Sequence, residues 1–196
     1  MSSLGTPHRW ATAADAEALA ALVNIAGEGL PLYLWTRMAG AGESPWQVGR
    51  QRAQRERGSF SYRNAIVREE CGAVAACLMG YPLHDTTSPV DTAETPPMFV
   101  PLQELECLAW GTWYINVLAS FPEYRGRGFG SALLGIAADQ AVSKGCRGLS
   151  LIVSNANRGA LRLYKRSGYR EQATRAIVRE GWEHSGTEWL LLVKPI

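Results

Sequence analysis

Nothing in this chain reads as a metal centre or a membrane anchor. Its four cysteines, Cys71, Cys77, Cys107 and Cys146, form no CxxC pair and have no histidine pair nearby. That excludes the usual zinc spacings. No apolar run approaches the roughly 20 residues needed to cross a bilayer. The opening residues carry neither the basic n-region nor the apolar h-region of a secretory leader. The expectation is a cytoplasmic protein with no membrane partner, its thiols kept reduced. Charge of one sign is lacking too: 20 Lys and Arg against 18 Asp and Glu leave a formal net charge of +2. That is too little to argue for nucleic acid or an anionic membrane surface. Arg50, Arg52, Arg55 and Arg57 form a local basic run, read as the solvated face of a helix.

What is present is an ordinary globular balance, 46% hydrophobic and 19% charged over 196 residues. The length suits one domain, 1–196. Residues 9–11 read as a short strand, and Thr12 as an N-cap with Asp15 in the first helical turn. Leu19, Leu22, Val23 and Ala26 then recur at helical spacing, up to Gly27 and Gly29. A second short helix is expected over 30–40. Pro45 opens a third, which Gly58 stops.

Two strands follow, Asn64–Arg68 and Ala73–Tyr81, joined by a Glu69–Gly72 turn. Five of the ten prolines fall within 82–101, which predicts a long irregular loop, functional or mobile. Leu102, Leu105 and Leu108 suggest a short helix after it. Trp113–Ser120 is a strongly apolar strand. Beyond it the pattern predicts a helix over Ser131–Lys144, a strand over Leu149–Val153, a helix over Asn157–Ser167 and a hairpin from Glu171–Val178 and Glu188–Lys194. The sum is a mixed α/β domain.

The stretch FPEYRGRGFGSALL joins the Trp113–Ser120 strand to the next helix. A helix start offers free N–H groups and the positive end of the peptide dipoles to an anion. Glycines at 126, 128 and 130 remove the Cβ atoms that would hold a phosphate away from the backbone. Arg125 and Arg127 add positive charge. No lysine follows as a Walker loop requires, and the glycines read GxGxG, not the GxGxxG of dinucleotide folds. Spacing alone leaves a phosphate cradle and a plain glycine turn both open.

YRGRGFGSALL resembles the [QR]xxGx[GA] acyl-CoA motif of the GNAT superfamily of N-acetyltransferases, with Arg125, Gly128 and Gly130 in the defining places. INVLASFPEYRG is similar to the family's fourth strand with its proline. LSLIVSNANRGALRLYKRSGY resembles the next family motif through Asn157, Ala160, Tyr164 and Gly168. The resemblance covers about residues 113–170, and extends by element order alone over 9–81. It implies a single GNAT-like α/β domain whose central, mostly antiparallel sheet has about seven strands. That sheet would be splayed between strands four and five and flanked by helices.

The resemblance also implies acetyl-CoA as acyl donor, with no metal. The backbone N–H groups of Arg127, Gly128, Phe129, Gly130 and Ser131 would hold its diphosphate, with Arg125, Gly126 and Tyr164 also among the cofactor-binding residues. Leu118, Ala119 and Ser120 would pair with the pantetheine arm, and Asn157 would hydrogen-bond that arm. The acceptor would be a primary amine of a small molecule or peptide, attacking the thioester through a tetrahedral intermediate stabilised by backbone N–H. Tyr164 matches the family's general acid, with a core aromatic as the alternative.

The glutamate some members carry on the fourth strand is replaced here by Tyr114, and Asn116 on the same face is no base. Glu106 is the preferred base, ahead of Glu104 and His84. A solvated Glu106 and a water chain remain the alternatives. Trp35, Trp110, Trp113 and Tyr33 are candidates for lining the acceptor site. The homodimers common in the family are an open possibility for this chain. The competing class is a non-catalytic acyl-CoA-binding sensor or regulatory domain.

Overall fold

The structure is a computed structural model, and it describes residues 4–84 and 95–196. Seven strands form one mixed sheet in the order β1-β2-β3-β4-β5-β7-β6. They are β1 (His8–Trp10), β2 (Ala65–Glu70), β3 (Ala73–Pro82), β4 (Trp113–Ser120), β5 (Gly148–Ser154), β6 (Arg170–Ala176) and β7 (Glu188–Pro195). The helices are α1 (Ala16–Ala26), α2 (Leu30–Met38), α3 (Pro45–Ala53), α4 (Val100–Cys107), α5 (Phe129–Ser143) and α6 (Arg158–Arg166). The β1–β2, β2–β3, β5–β7 and β6–β7 pairs are antiparallel. β4 and β5 run parallel, and their ladder extends from Trp113↔Leu149 only as far as Ile115↔Leu151.

The chain divides into two compact units, 1–80 with 116–133, and 81–115 with 134–196. In the first, alternate strand residues Val67, Cys77, Met79, Val117 and Ala119 meet Leu19 and Leu22 of α1, Trp35 of α2 and Val48 of α3 in one core. Period-two and helical spacings thus turn their apolar faces toward each other. In the second, Leu105 and Ala109 pack with Leu191, and Trp189, Ile152, Leu83 and Val193 cover them.

Local signals account for most boundaries. Pro45 occupies the first turn of α3, where its missing N–H costs nothing. Gly29, with φ +88°, starts α2. Thr12 and Asp15 shape the entry to α1 as expected, with a short 3₁₀ turn over Ala13–Asp15 first. There the Asp15 carboxylate accepts the Thr12 N–H at 2.7 Å and pairs with Arg9 at 2.8 Å.

Two expectations change. α3 ends at Ala53, so Arg50 and Arg52 lie on it while Arg55 and Arg57 follow it in irregular chain. The basic run is not one helical face. In the expected irregular loop over 82–101, Pro82 closes β3, a 3₁₀ turn spans Pro97–Phe99 and α4 starts at Val100. Pro97 and Pro101 sit in the first turns of these elements, where proline starts a helix rather than breaking it. Residues 85–94 of that expected loop lie outside the described residues.

Candidate active site

The glycine segment has the geometry of an anion cradle. Gly126 and Gly128 adopt φ of +76° and +80°, values a side chain would strain, and a Cβ at either would meet nothing within 4 Å. The space in front of the main chain is open. Arg125 N–H donates to Pro122 O at 3.2 Å, and Arg125 and Gly126 form a hydrogen-bonded turn that closes on Arg127. The N–H groups of Gly128 to Ser131 precede the first bond of the helix, from Ala132 N–H to Gly128 O at 3.1 Å, and have no backbone acceptor among the described residues. These donors open α5, at the positive end of its aligned peptide dipoles.

Side chains brace the loop from behind. Phe129 is buried, with the Arg68 guanidinium 3.8 Å and that of Arg127 5.1 Å from its ring centre. Arg127 also pairs with Glu70 at 2.7 Å, and Glu70 pairs with Arg68 at 3.3 Å. Both arginines are exposed, but Arg127 pairs with Glu70 of β2, whereas Arg125 makes no ion pair among the described residues. The two arginines that the sequence presents as equivalent differ in this respect. Leu118, Ala119 and Ser120 lie in the second half of β4, with Ala119 in the first unit's core.

In the second unit, proton-carrying groups gather around Tyr114. Its side chain is buried in β4, and its pKa is raised well above the ordinary phenol range, by burial first and then by the Glu106 carboxylate. Glu106 comes from α4 and is half-buried. Burial raises its carboxyl pKa, and the hydrogen bond with the Tyr114 hydroxyl works the other way. Tyr164 of α6 is buried, packs edge-on to Tyr169 at 5.8 Å, and is held protonated by burial. Its charge state also bears on Tyr114.

Glu104, by contrast, is committed to an ion pair with Arg175, and His84 is exposed. Asn157 caps α6, its Oδ1 accepting the Ala160 N–H at 3.1 Å. That bond fixes the amide so that Nδ2 remains as its donor.

Among the acceptor-site candidates, Trp35 and Trp113 are core residues, 2% and 3% exposed. Trp35 is ringed by Trp46 and Phe60. Tyr33 accepts a hydrogen bond from Arg37 at 3.1 Å, and Trp110 is half-buried. Sequence reasoning missed the His184–Ser154 contact at 2.8 Å, since no motif spacing links a loop histidine to the end of a strand. All four cysteines are free. Among the described residues no group of three or more His, Cys, Asp or Glu is placed to hold a metal ion.

A comparison with known families bears on this loop and fold. The acetyltransferase (GNAT) family model matches residues 32–169, and the chain belongs to that family. Thialysine N-ε-acetyltransferase of Bos taurus is 38% identical over 79 residues, 38% of this chain and 44% of the bovine protein. The match therefore spans less than half of that relative. A solved acetyltransferase structure superposes with a TM-score of 0.65 at 23% identity, covering 99% of this chain and 100% of its own. An N-acetyltransferase from Staphylococcus aureus Mu50 gives 0.60 at 18% identity, covering 95% and 99%. These two likenesses show the shared fold.

Proposed function

We propose that this chain transfers the acetyl group of acetyl-CoA to a primary amine of a small molecule or peptide. The observation that carries the reading is the open row of donors from Gly128 to Ser131 at the start of α5. A diphosphate supplies acceptors spaced along such a row, and an extended thioester arm finds its partners on a strand such as Leu118–Ser120. Nothing in the cradle demands a base-specific or adenine-specific contact, so acyl-CoA fits it through the diphosphate.

The proton chemistry falls to Glu106 and Tyr164. An amine attacks a thioester only when neutral, and burial raises the proton affinity of Glu106 toward that of a base working near neutral pH. Tyr114, standing where other members place a glutamate, hydrogen-bonds the carboxyl that α4 delivers instead. The attack builds an oxyanion on the former carbonyl, which main-chain N–H groups of Leu118–Ser120 are suited to receive. Collapse breaks the C–S bond and expels the thiolate. Tyr164, kept protonated by its surroundings, donates its proton to that sulfur.

The test is amine-dependent thiol release from acetyl-CoA across a panel of amines. The expected outcome is acceleration by at least one primary amine, and a kcat about tenfold lower in Tyr164→Phe. Tight acetyl-CoA binding with no accelerating amine would instead establish a sensor.

A further inference from the structure

The loop between β6 and β7 is tied to the end of β5 by contacts that the proposed chemistry does not use. Trp182 and His184 stack at 4.3 Å with their planes 8° apart, and Trp189 lies 6.0 and 6.1 Å from the two rings. His184 Nε2 hydrogen-bonds Ser154 Oγ at 2.8 Å. Thr187 N–H donates to Asn155 Oδ1 at 3.0 Å, and Arg179 donates to Gly186 O at 2.7 Å. Gly186 lies so close that a Cβ there would come within 2.2 Å of Ser154 Oγ and 2.7 Å of His184 Nε2. The loop therefore presses its backbone onto the hydroxyl it binds.

Ser154 in turn sets the start of α6. Its Oγ accepts the Ala156 N–H at 3.1 Å, and its carbonyl accepts the Asn157 N–H at 3.0 Å. Asn157 then caps Ala160. Besides accepting from Ala156, Oγ keeps a proton and a second lone pair, so either tautomer of a neutral imidazole bonds it. Burial, and then Arg179, lower the pKa of His184 and favour that neutral form.

We propose that His184 is a positioning residue: through Ser154 it fixes the turn that aims Asn157, and so sets affinity for the acyl-CoA arm. The bonds form an unbroken line from the β6–β7 loop to the α6 cap. Ser154 is 2% exposed, so solvent does not replace the imidazole freely, and loss of that partner leaves the buried hydroxyl short of a hydrogen bond. This inference rests on the reading of Asn157 as a donor to acyl-CoA.

The test compares His184→Phe, which keeps a ring to stack on Trp182 but has no nitrogen, with His184→Gln, whose amide reaches near the Nε2 position. Acetyl-CoA dissociation constants, kcat at saturating acetyl-CoA and backbone hydrogen exchange at residues 156–160 are measured. His184→Phe is expected to weaken acetyl-CoA about fivefold, to change kcat less than about twofold, and to speed exchange at Ala156, Asn157 and Ala160. His184→Gln should restore affinity to within about twofold. Adding His184→Phe to Asn157→Ala should cost no further affinity.

Unchanged affinity and exchange in His184→Phe would overturn the proposal, as would full additivity with Asn157→Ala. If His184→Phe fails to fold, Ser154→Ala removes the same hydroxyl without added bulk and takes the same readouts. If the wild-type chain binds no acetyl-CoA, the functional reading fails and the affinity claim falls with it. Exchange at 156–160 then decides alone whether His184 orders this turn.

Discussion

Glu106 carries a conflict that predicts its behaviour. A carboxylate half-buried beside a buried phenol is held protonated to higher pH than a free one. A group with a raised native pKa contributes stability below its unfolded pKa, and that contribution is lost as pH rises through the native value. Glu106→Gln is therefore expected to lower kcat/KM by about 10²–10⁴-fold and to lose the acid limb of the pH–rate profile. Its melting temperature at pH 8 should equal or exceed that of the wild-type chain. Activity assays and thermal melts on the same samples check both halves. A loss of activity accompanied by a loss of stability at pH 8 would mark Glu106 as structural. The pairing with Tyr114 was not readable from sequence: the two residues are eight apart on a helix and a strand, and only the fold sets them together. The sequence does offer two clues, Tyr114 at the position where the family resemblance implies a glutamate, and the apolar neighbours of Glu106.

At the scale of the element, the entry to α1 is a small electrostatic device. Asp15 accepts hydrogen bonds from Arg9 and from the Thr12 N–H, and these hold its pKa below the ordinary carboxylate range. A depressed native pKa contributes stability above the unfolded value, lost as pH falls through the native one. Asp15→Asn is accordingly expected to cost about 1–2 kcal/mol at pH 7. The difference from wild type should shrink steadily below about pH 4. Denaturant melts across that range provide the check, and a pH-independent difference would assign the effect to packing.

This element was readable because its cap chemistry is local, as was β4, whose apolar run carries its own boundaries. α3 was not: its arginines favour a helix through Arg57 by propensity, but the chain leaves the helical path after Ala53, a core residue 0% exposed. The expectation of irregular chain over 82–101 fails at the ends of that stretch because proline there does not act as a breaker. Pro97 and Pro101 instead occupy first turns.

At the scale of the molecule, seven strands in a mixed sheet, the parallel β4–β5 pair and the family match over residues 32–169 all agree with the reading of one short stretch of sequence. The glycine segment is legible in the sequence as a candidate phosphate cradle because such a cradle is made of backbone, and backbone conformation is written in glycine positions. An acceptor pocket is made of side chains from distant segments, and its contents do not follow from any one motif. Trp35 illustrates this: an aromatic at a promising position is a core residue.

The central claim is that the donors of Gly128–Ser131 bind acetyl-CoA, and one calorimetric titration tests it most directly. The wild-type chain is titrated with acetyl-CoA beside a Gly128→Val variant shown to be folded by circular dichroism and thermal melting. Saturable binding by the wild type and a loss of at least about tenfold, 1.4 kcal/mol, in the variant is the predicted result. Equal affinity in the two folded proteins would contradict it.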